Sequence, residues 1–277
     1  MRKLAIGAAL SGALALAGAV APAASAAPST PDLKFTGIKV NGGKAVVAGT
    51  TAKVTVPVTY TLTRPADVTL NGDSSFAGVI LYRGTLKAMD NAVGPDDAPA
   101  CTTTETTATT VTASCTEKIV VDPGRDLFEA ADAGTWKAGG FYSYVDGSAS
   151  DDFLSTSSGT AIWGNLGTAK VLRAARATAD ASPEPAVKGR TITVRGKLTR
   201  ADWDASAYKG YQGQKAVLQF RPEGGTAYTN VKGITSGTGG ALSTTVKASR
   251  SGYYRYVFAG TATTAPATAT GDFIKVK

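Results

Sequence analysis

From residue 53 to 63 the chain alternates: Val54, Val56, Val58, Tyr60 and Leu62 fall on one side, and Lys53, Thr55, Thr59, Thr61 and Thr63 on the other. A period of two is the mark of an extended strand with one buried and one wet face, and it does not fit the 3.6-residue repeat of a helix. Pro57 belongs to the outward set. Because proline cannot donate to a ladder, its position predicts an edge strand or a bulge. The same pattern predicts strands at 33–40 and 45–47 across the turn residues Asn41-Gly42-Gly43, and others at 79–82, 110–114, 117–121, 141–145 and 170–173.

Later in the chain the apolar sets are Ile192, Val194 and Leu198; Ala216, Leu218 and Phe220; Leu242 and Val246; Tyr254, Tyr256 and Phe258; and Ile274 with Val276. Glu223-Gly224-Gly225 and the glycine-rich run 237–240 separate them as turns. Short strands at this spacing, in a chain rich in Thr, Val, Ala and Gly, predict an all-β fold: two immunoglobulin-like β-sandwich domains in tandem. The expected divisions are a signal peptide at 1–26, a first sandwich at 27–173, a Pro/Ala linker at 174–185 and a second sandwich at 186–277. The linker reading rests on small residues with Pro183 and Pro185, a composition that extends and does not form a helix.

The leader reading rests on Arg2 and Lys3, an apolar stretch over 4–20, and the small-residue site Ala24-Ser25-Ala26. Pro22 and the Gly/Ala-rich composition argue against a spanning helix, which needs about 20 apolar residues. The expectation is a secreted or cell-wall-associated protein with no membrane span after cleavage. Export gives the two cysteines a meaning. Cys101 and Cys115 are predicted to form a disulfide across a Thr-rich hairpin, which stabilises by about 3 kcal/mol in the chain-entropy account.

Charge is divided along the chain. Residues 27–173 carry twelve Lys and Arg against fifteen Asp and Glu, a net of −3, whereas 186–277 carry fourteen against four, a net of +10. A change of sign marks a domain boundary and directs attention to the basic half. Alternation puts Arg195, Lys197, Arg255 and Lys275 outward, so these are candidate contacts for an anionic cell-wall polymer or glycan. Nucleic acid has no supporting motif.

The sequence has no histidine. That excludes Ser-His-Asp and Cys-His catalysis and histidine-held zinc. What remains is thin. Ser206 and Lys209 have S-x-x-K spacing, but the partner motifs of that chemistry are absent. Asp96-Asp97 and Asp151-Asp152 are neighbours in sequence, so on a strand they would point apart instead of flanking a substrate. A carboxylate-dependent hydrolase is the rival reading, and no enzyme is expected. Asp146, Asp151 and Asp152 supply oxygen ligands suited to calcium in an irregular loop; no other cofactor is expected. Trp203, between Asp202 and Asp204, followed by Tyr208 and Tyr211, reads as an exposed aromatic binding loop or as a cap on the second sandwich. Trp136 reads as core.

Four segments carry a family resemblance: Asn41-Gly42-Gly43-Lys44, Ala133-Gly134-Thr135-Trp136-Lys137, Ala181-Ser182-Pro183-Glu184-Pro185, and the strand from Gly252 through Tyr253-Tyr254-Arg255-Tyr256-Val257-Phe258 to Gly260. Together they resemble secreted immunoglobulin-like proteins of Streptomyces and related actinobacteria, over essentially all of 27–277. The resemblance implies an extracellular setting and the tandem fold; some of those proteins carry a calcium-binding label.

Overall fold

The computed structural model describes residues 30–72, 75–124, 128–144 and 159–277. The leader and the aspartates Asp146, Asp151 and Asp152 lie outside the described residues. Among the described residues of the first half, nine strands follow in chain order: β1 (Lys34–Val40), β2 (Val46–Ala48), β3 (Val54–Pro65), β4 (Ser75–Thr85), β5 (Ala88–Val93), β6 (Ala100–Thr106), β7 (Thr110–Val121), β8 (Gly134–Tyr144) and β9 (Gly159–Arg173). They form two sheets, β1-β3-β7-β6 and β2-β9-β8-β4-β5, in which only the β2–β9 pairing is parallel.

The alternating residues of β3 explain why these sheets stack. Val56, Val58, Tyr60 and Leu62 share one core with Cys115, Ile119 and Val121 of β7, and with Val79 and Leu81 of β4, Trp136 and Ala138 of β8 and Val171 of β9 from the facing sheet. Trp136 is fully buried and its indole N–H donates to the Asp132 carbonyl at 2.8 Å. The strands expected at 110–114 and 117–121 are one continuous strand, because Cys115 and Glu117 keep the inward phase of Ile119 and Val121. β3 is an interior strand, yet β1 ends opposite Val58, so at Pro57 it pairs only with β7 and the missing donor is tolerated.

The expected disulfide is present. Cys101 and Cys115 lie directly opposite each other on β6 and β7, 4.1 Å apart at Cα. β6 is an edge strand exposed along its whole length, and the bond ties it to an interior neighbour.

The second half contains β10 (Ala175–Ala177), β11 (Asp180–Ser182), β12 (Thr191–Asp202), β13 (Ala207–Gly210), β14 (Lys215–Pro222), β15 (Thr229–Thr235), β16 (Ala241–Lys247), β17 (Gly252–Phe258), β18 (Ala267–Thr268) and β19 (Asp272–Ile274). One sheet is built on β12, which pairs with β10, β11, β13 and β16; the other runs β15-β14-β17-β18, with β19 also on β17. Their facing residues form a second core of Ile192, Val194, Leu198, Ala216, Leu218, Phe220, Leu242, Tyr254, Tyr256, Phe258 and Ile274. The arrangement is all-β and consistent with tandem immunoglobulin-like sandwiches.

The segment 174–185 is not a free linker. Ala175, Ala177, Ala179 and Ala181 alternate onto the second core while β10 and β11 pair with β12. Small side chains allow this close approach. At Gly196 a Cβ would come within 2.0 Å of the Thr178 carbonyl, and the Thr178 amide donates to Lys197 O at 3.0 Å.

β12 also joins the two sandwiches. Ile192, Val194 and Leu198 point into the second core, whereas Ala201, on the opposite face, and Trp203 just beyond the strand belong to the first. Backbone hydrogen bonds continue the junction: Ala174 donates to Ala48 O and Ala201 to Ala174 O, each at 2.8 Å.

Candidate functional site

The inward run Ala216, Leu218 and Phe220 on β14 turns Gln219 and Arg221 outward. On β17 the inward Tyr254 and Tyr256 do the same for Tyr253 and Arg255, and Ile274 at the end of β19 does so for Phe273 and for Lys275 just past the strand. Register then brings these residues together: Gln219 lies opposite Arg255, Arg221 opposite Tyr253, and Tyr253 opposite Phe273. Tyr228, just ahead of β15, completes the group.

The result is a row of rings and guanidinium groups across one outer sheet face. The Tyr253 and Phe273 rings lie 5.0 Å apart. Arg221 sits 4.2 Å from the Tyr253 ring centre and 5.3 Å from that of Tyr228, and Arg255 sits 3.6 Å from the Tyr228 ring centre. Hydrogen bonds fix both guanidinium groups: Arg255 Nε donates to Gln219 Oε1 at 2.9 Å, Gln219 Nε2 to Asn230 Oδ1 at 2.9 Å, and an Arg221 terminal nitrogen to Gly225 O at 2.7 Å. All five are half-buried. Stacking holds a guanidinium flat without using all of its in-plane donors, so such a row can offer paired N–H groups to anionic oxygens and ring faces to sugar rings.

Of the residues singled out from the sequence, Arg255 lies in this row. Lys275 lies at its end, exposed, 3.9 Å from Glu223. Arg195 and Lys197 do not join it. They are exposed on β12, in the opposite sheet of the sandwich, and face away. The row also contains Gln219, Arg221, Tyr228, Tyr253 and Phe273, which the sequence reading passed over. Alternation on β14, β17 and β19 carries the signal for four of them; Tyr228 lies outside any periodic run.

Of the two readings of 203–211, an exposed aromatic loop or a cap on the second sandwich, the exposed loop does not hold, and the cap holds only for Tyr211, which packs on the second core. Trp203 is 3% exposed; its indole N–H donates to Gly49 O at 2.8 Å and its ring meets Phe128 edge-on at 5.8 Å, with Phe128 stacked on Trp136. It caps the first sandwich, not the second, because it follows the face of β12 turned toward that core. Tyr208 is half-buried beneath Arg176 at 3.6 Å, and Tyr211 beneath Arg200 at 4.0 Å with its edge on Phe258. These rings belong to the domain junction.

The acid and lysine candidates separate as well. Lys209 pairs with Asp202 at 2.9 Å, and that hydrogen bond holds the Asp202 carboxyl below its usual range. Ser206 lies in a tight turn at φ 49°, so Ser206 and Lys209 do not share a helical turn. Asp96 and Asp97 are exposed in a turn. A carboxyl that sequence reasoning missed is Glu117. It sits inside the first sandwich, accepting from Tyr60 Oη at 3.1 Å and from the Val79 amide at 3.0 Å. Burial pushes it up to about 7 against the opposing effect of those two hydrogen bonds, and burial followed by Glu117 raises the Tyr60 phenol. Enclosed between two sheets, the pair has no room for a substrate.

No protein-family model matches the sequence, and no curated protein matches it. Among solved structures the chain is similar to the full three-domain ectodomain (Ig1–Ig3) of mouse nectin-like molecule 4, at 12% identity and a TM-score of 0.22, over 90% of this chain and 65% of that one. The chain thus spans less than two thirds of that ectodomain.

Proposed function

We propose that this protein works outside the cell as a non-catalytic binding module, and that the outer face of β14, β17 and β19 holds an anionic cell-wall glycopolymer. The observation that carries this reading is the group Phe273, Tyr253, Arg221, Tyr228 and Arg255, in which stacked rings lie against immobilised cations. An extended polymer with sugar rings and regularly spaced negative charge complements such a row. The net charge of +10 over 186–277 supports the same reading, since a basic domain draws polyanions to its surface. Export fits the leader-like start and the disulfide, and the resemblance to secreted actinobacterial immunoglobulin-like proteins agrees with a cell-envelope setting.

Co-sedimentation of the 27–277 protein with purified actinobacterial cell walls across a salt series tests this. The expected result is binding at low salt that weakens as salt rises without vanishing, because stacking contacts are not screened. Arg221→Gln with Arg255→Gln lowers the bound fraction at least tenfold, whereas Arg195→Gln with Lys197→Gln, equal in charge removed but on the opposite sheet, lowers it less than twofold. Equal losses from the two pairs would leave only diffuse charge and sink the assignment of the face.

A further inference from the structure

At the domain junction two polar atoms are buried without a hydrogen-bond partner, Arg173 Nε and Thr264 Oγ1. Arg173 is 7% exposed and Thr264 fully buried. Unpaired groups of this kind are rare in native proteins and call for a water or an ion. Here the two are neighbours. Arg173 and Thr264 form a parallel bridge, with the Arg173 amide donating to Thr263 O at 3.1 Å and the Ala265 amide to Arg173 O at 2.9 Å, so both side chains leave on one side.

A second cation comes to the same place from the second sandwich. Arg200 lies opposite Ala175, two residues beyond Arg173, and stacks on Tyr211. Burial first, and then the like charge of Arg200, hold the Arg173 guanidinium below the ordinary arginine range. Burial raises the Tyr211 phenol, but the adjoining Thr264 and Thr261 hydroxyls and Arg200 outweigh it and leave it below its ordinary value; no hydrogen bond closes on Thr264 Oγ1. Asp202, Asp204 and the Tyr211 phenol attract the Arg173 charge and oppose the lowering without reversing it, and both acids are paired with other groups. Asp202 holds Lys209 at 2.9 Å, and Asp204 accepts from the Ala130 amide at 2.9 Å. Two guanidinium groups, one from each domain, therefore lie close enough to repel each other, near a buried hydroxyl that closes no hydrogen bond.

We propose that Arg173, Arg200 and Thr264 form a junction site for a small oxyanion of the phosphate or sulfate class. Such an anion accepts from both guanidinium groups and from the buried hydroxyl, and its charge removes their mutual repulsion. Arg200 is half-buried and Thr261 exposed at the rim, which gives the site an entrance. Because its residues come from both sandwiches, the complete site exists only while the two are docked, and the anion stabilises that docking by mass action. Its residues are separate from the outer face of β14, β17 and β19.

The test is thermal melting and calorimetric titration of the 27–277 protein with inorganic phosphate, sulfate and a glycerol phosphate oligomer, each against chloride at matched ionic strength. A saturable rise in melting temperature with one of the oxyanions is expected. A response to the inorganic ions identifies a free anion as ligand, and a response to the oligomer alone identifies a phosphate carried on a polymer. Thr264→Val removes the buried hydroxyl without changing the side-chain shape and weakens apparent affinity about tenfold, as does Arg200→Gln, whereas Lys247→Gln, an exposed cation elsewhere, leaves it unchanged. Identical melting in all the oxyanions and in chloride, or an affinity indifferent to Thr264→Val and Arg200→Gln, overturns the proposal.

Discussion

Glu117 shows how one side chain can set the pH behaviour of a whole domain. Its folded-state value of about 7 lies above the ordinary 4.5, so the folded protein holds that proton more tightly than the unfolded chain does. Stability from this group is therefore complete below about pH 4.5, falls as pH rises toward 7, and stays at the reduced level beyond. The shift corresponds to about 3 kcal/mol. Glu117→Gln keeps the shape and an acceptor for the Val79 amide but cannot ionise. Urea unfolding should find the variant more stable than the parent by up to about 3 kcal/mol at pH 8 and close to it at pH 4.5; equal pH slopes for the two proteins would refute this account. The inward phase of Glu117 was legible in the sequence, since it alternates with Cys115 and Ile119. Its partner was not, because Tyr60 lies 57 residues away. For Trp203 a cap is legible but the sandwich it caps is not, because the carbonyl that accepts its indole proton is 154 residues distant.

Among the elements, the hairpin of β6 and β7 was read correctly because its constraint is local: two cysteines 14 positions apart with strand-forming threonines between them. Among the described residues β6 pairs with β7 alone, and every residue in it is exposed, so β7 and the disulfide are what hold it. Cys101→Ala with Cys115→Ala should cost about 3 kcal/mol and accelerate amide hydrogen exchange across 100–106 while leaving β3 protected. Uniform loss of protection through the sandwich would show instead that β6 is integral to folding of the domain. The segment 174–185 was harder to read. Its alanines and prolines have the composition of a linker, and only pairing with β12 reveals that the alanines are small because two backbones meet there. The binding row has the same character. Each cation or ring of β14, β17 and β19 is outward by alternation, but their assembly into one row depends on register, which the sequence does not display, and Tyr228 enters from outside the strands.

For the molecule as a whole, the change of charge sign points to two halves but carries no sign of how tightly they are joined. β12 supplies residues to both cores, and Trp203 fills the end of the first while rooted in the second. Trp203→Ala should leave a cavity beside Phe128 and strand the Gly49 carbonyl, a loss of about 3–5 kcal/mol concentrated at the junction. Scanning calorimetry should then resolve two transitions in place of the single one expected of the parent, because each sandwich keeps a core of its own but loses the side chain they share. A single transition shifted to lower temperature would mean that the backbone pairing around Ala174 and Ala201 couples the domains without the tryptophan. The proposed polymer face lies on the sheet of the second sandwich that does not contain β12, so in the variant binding to cell walls at low temperature should persist while melting becomes uncoupled. Docking through Trp203 and capture of the polymer on β14, β17 and β19 thus rest on different residues of one sandwich, and can be broken one at a time.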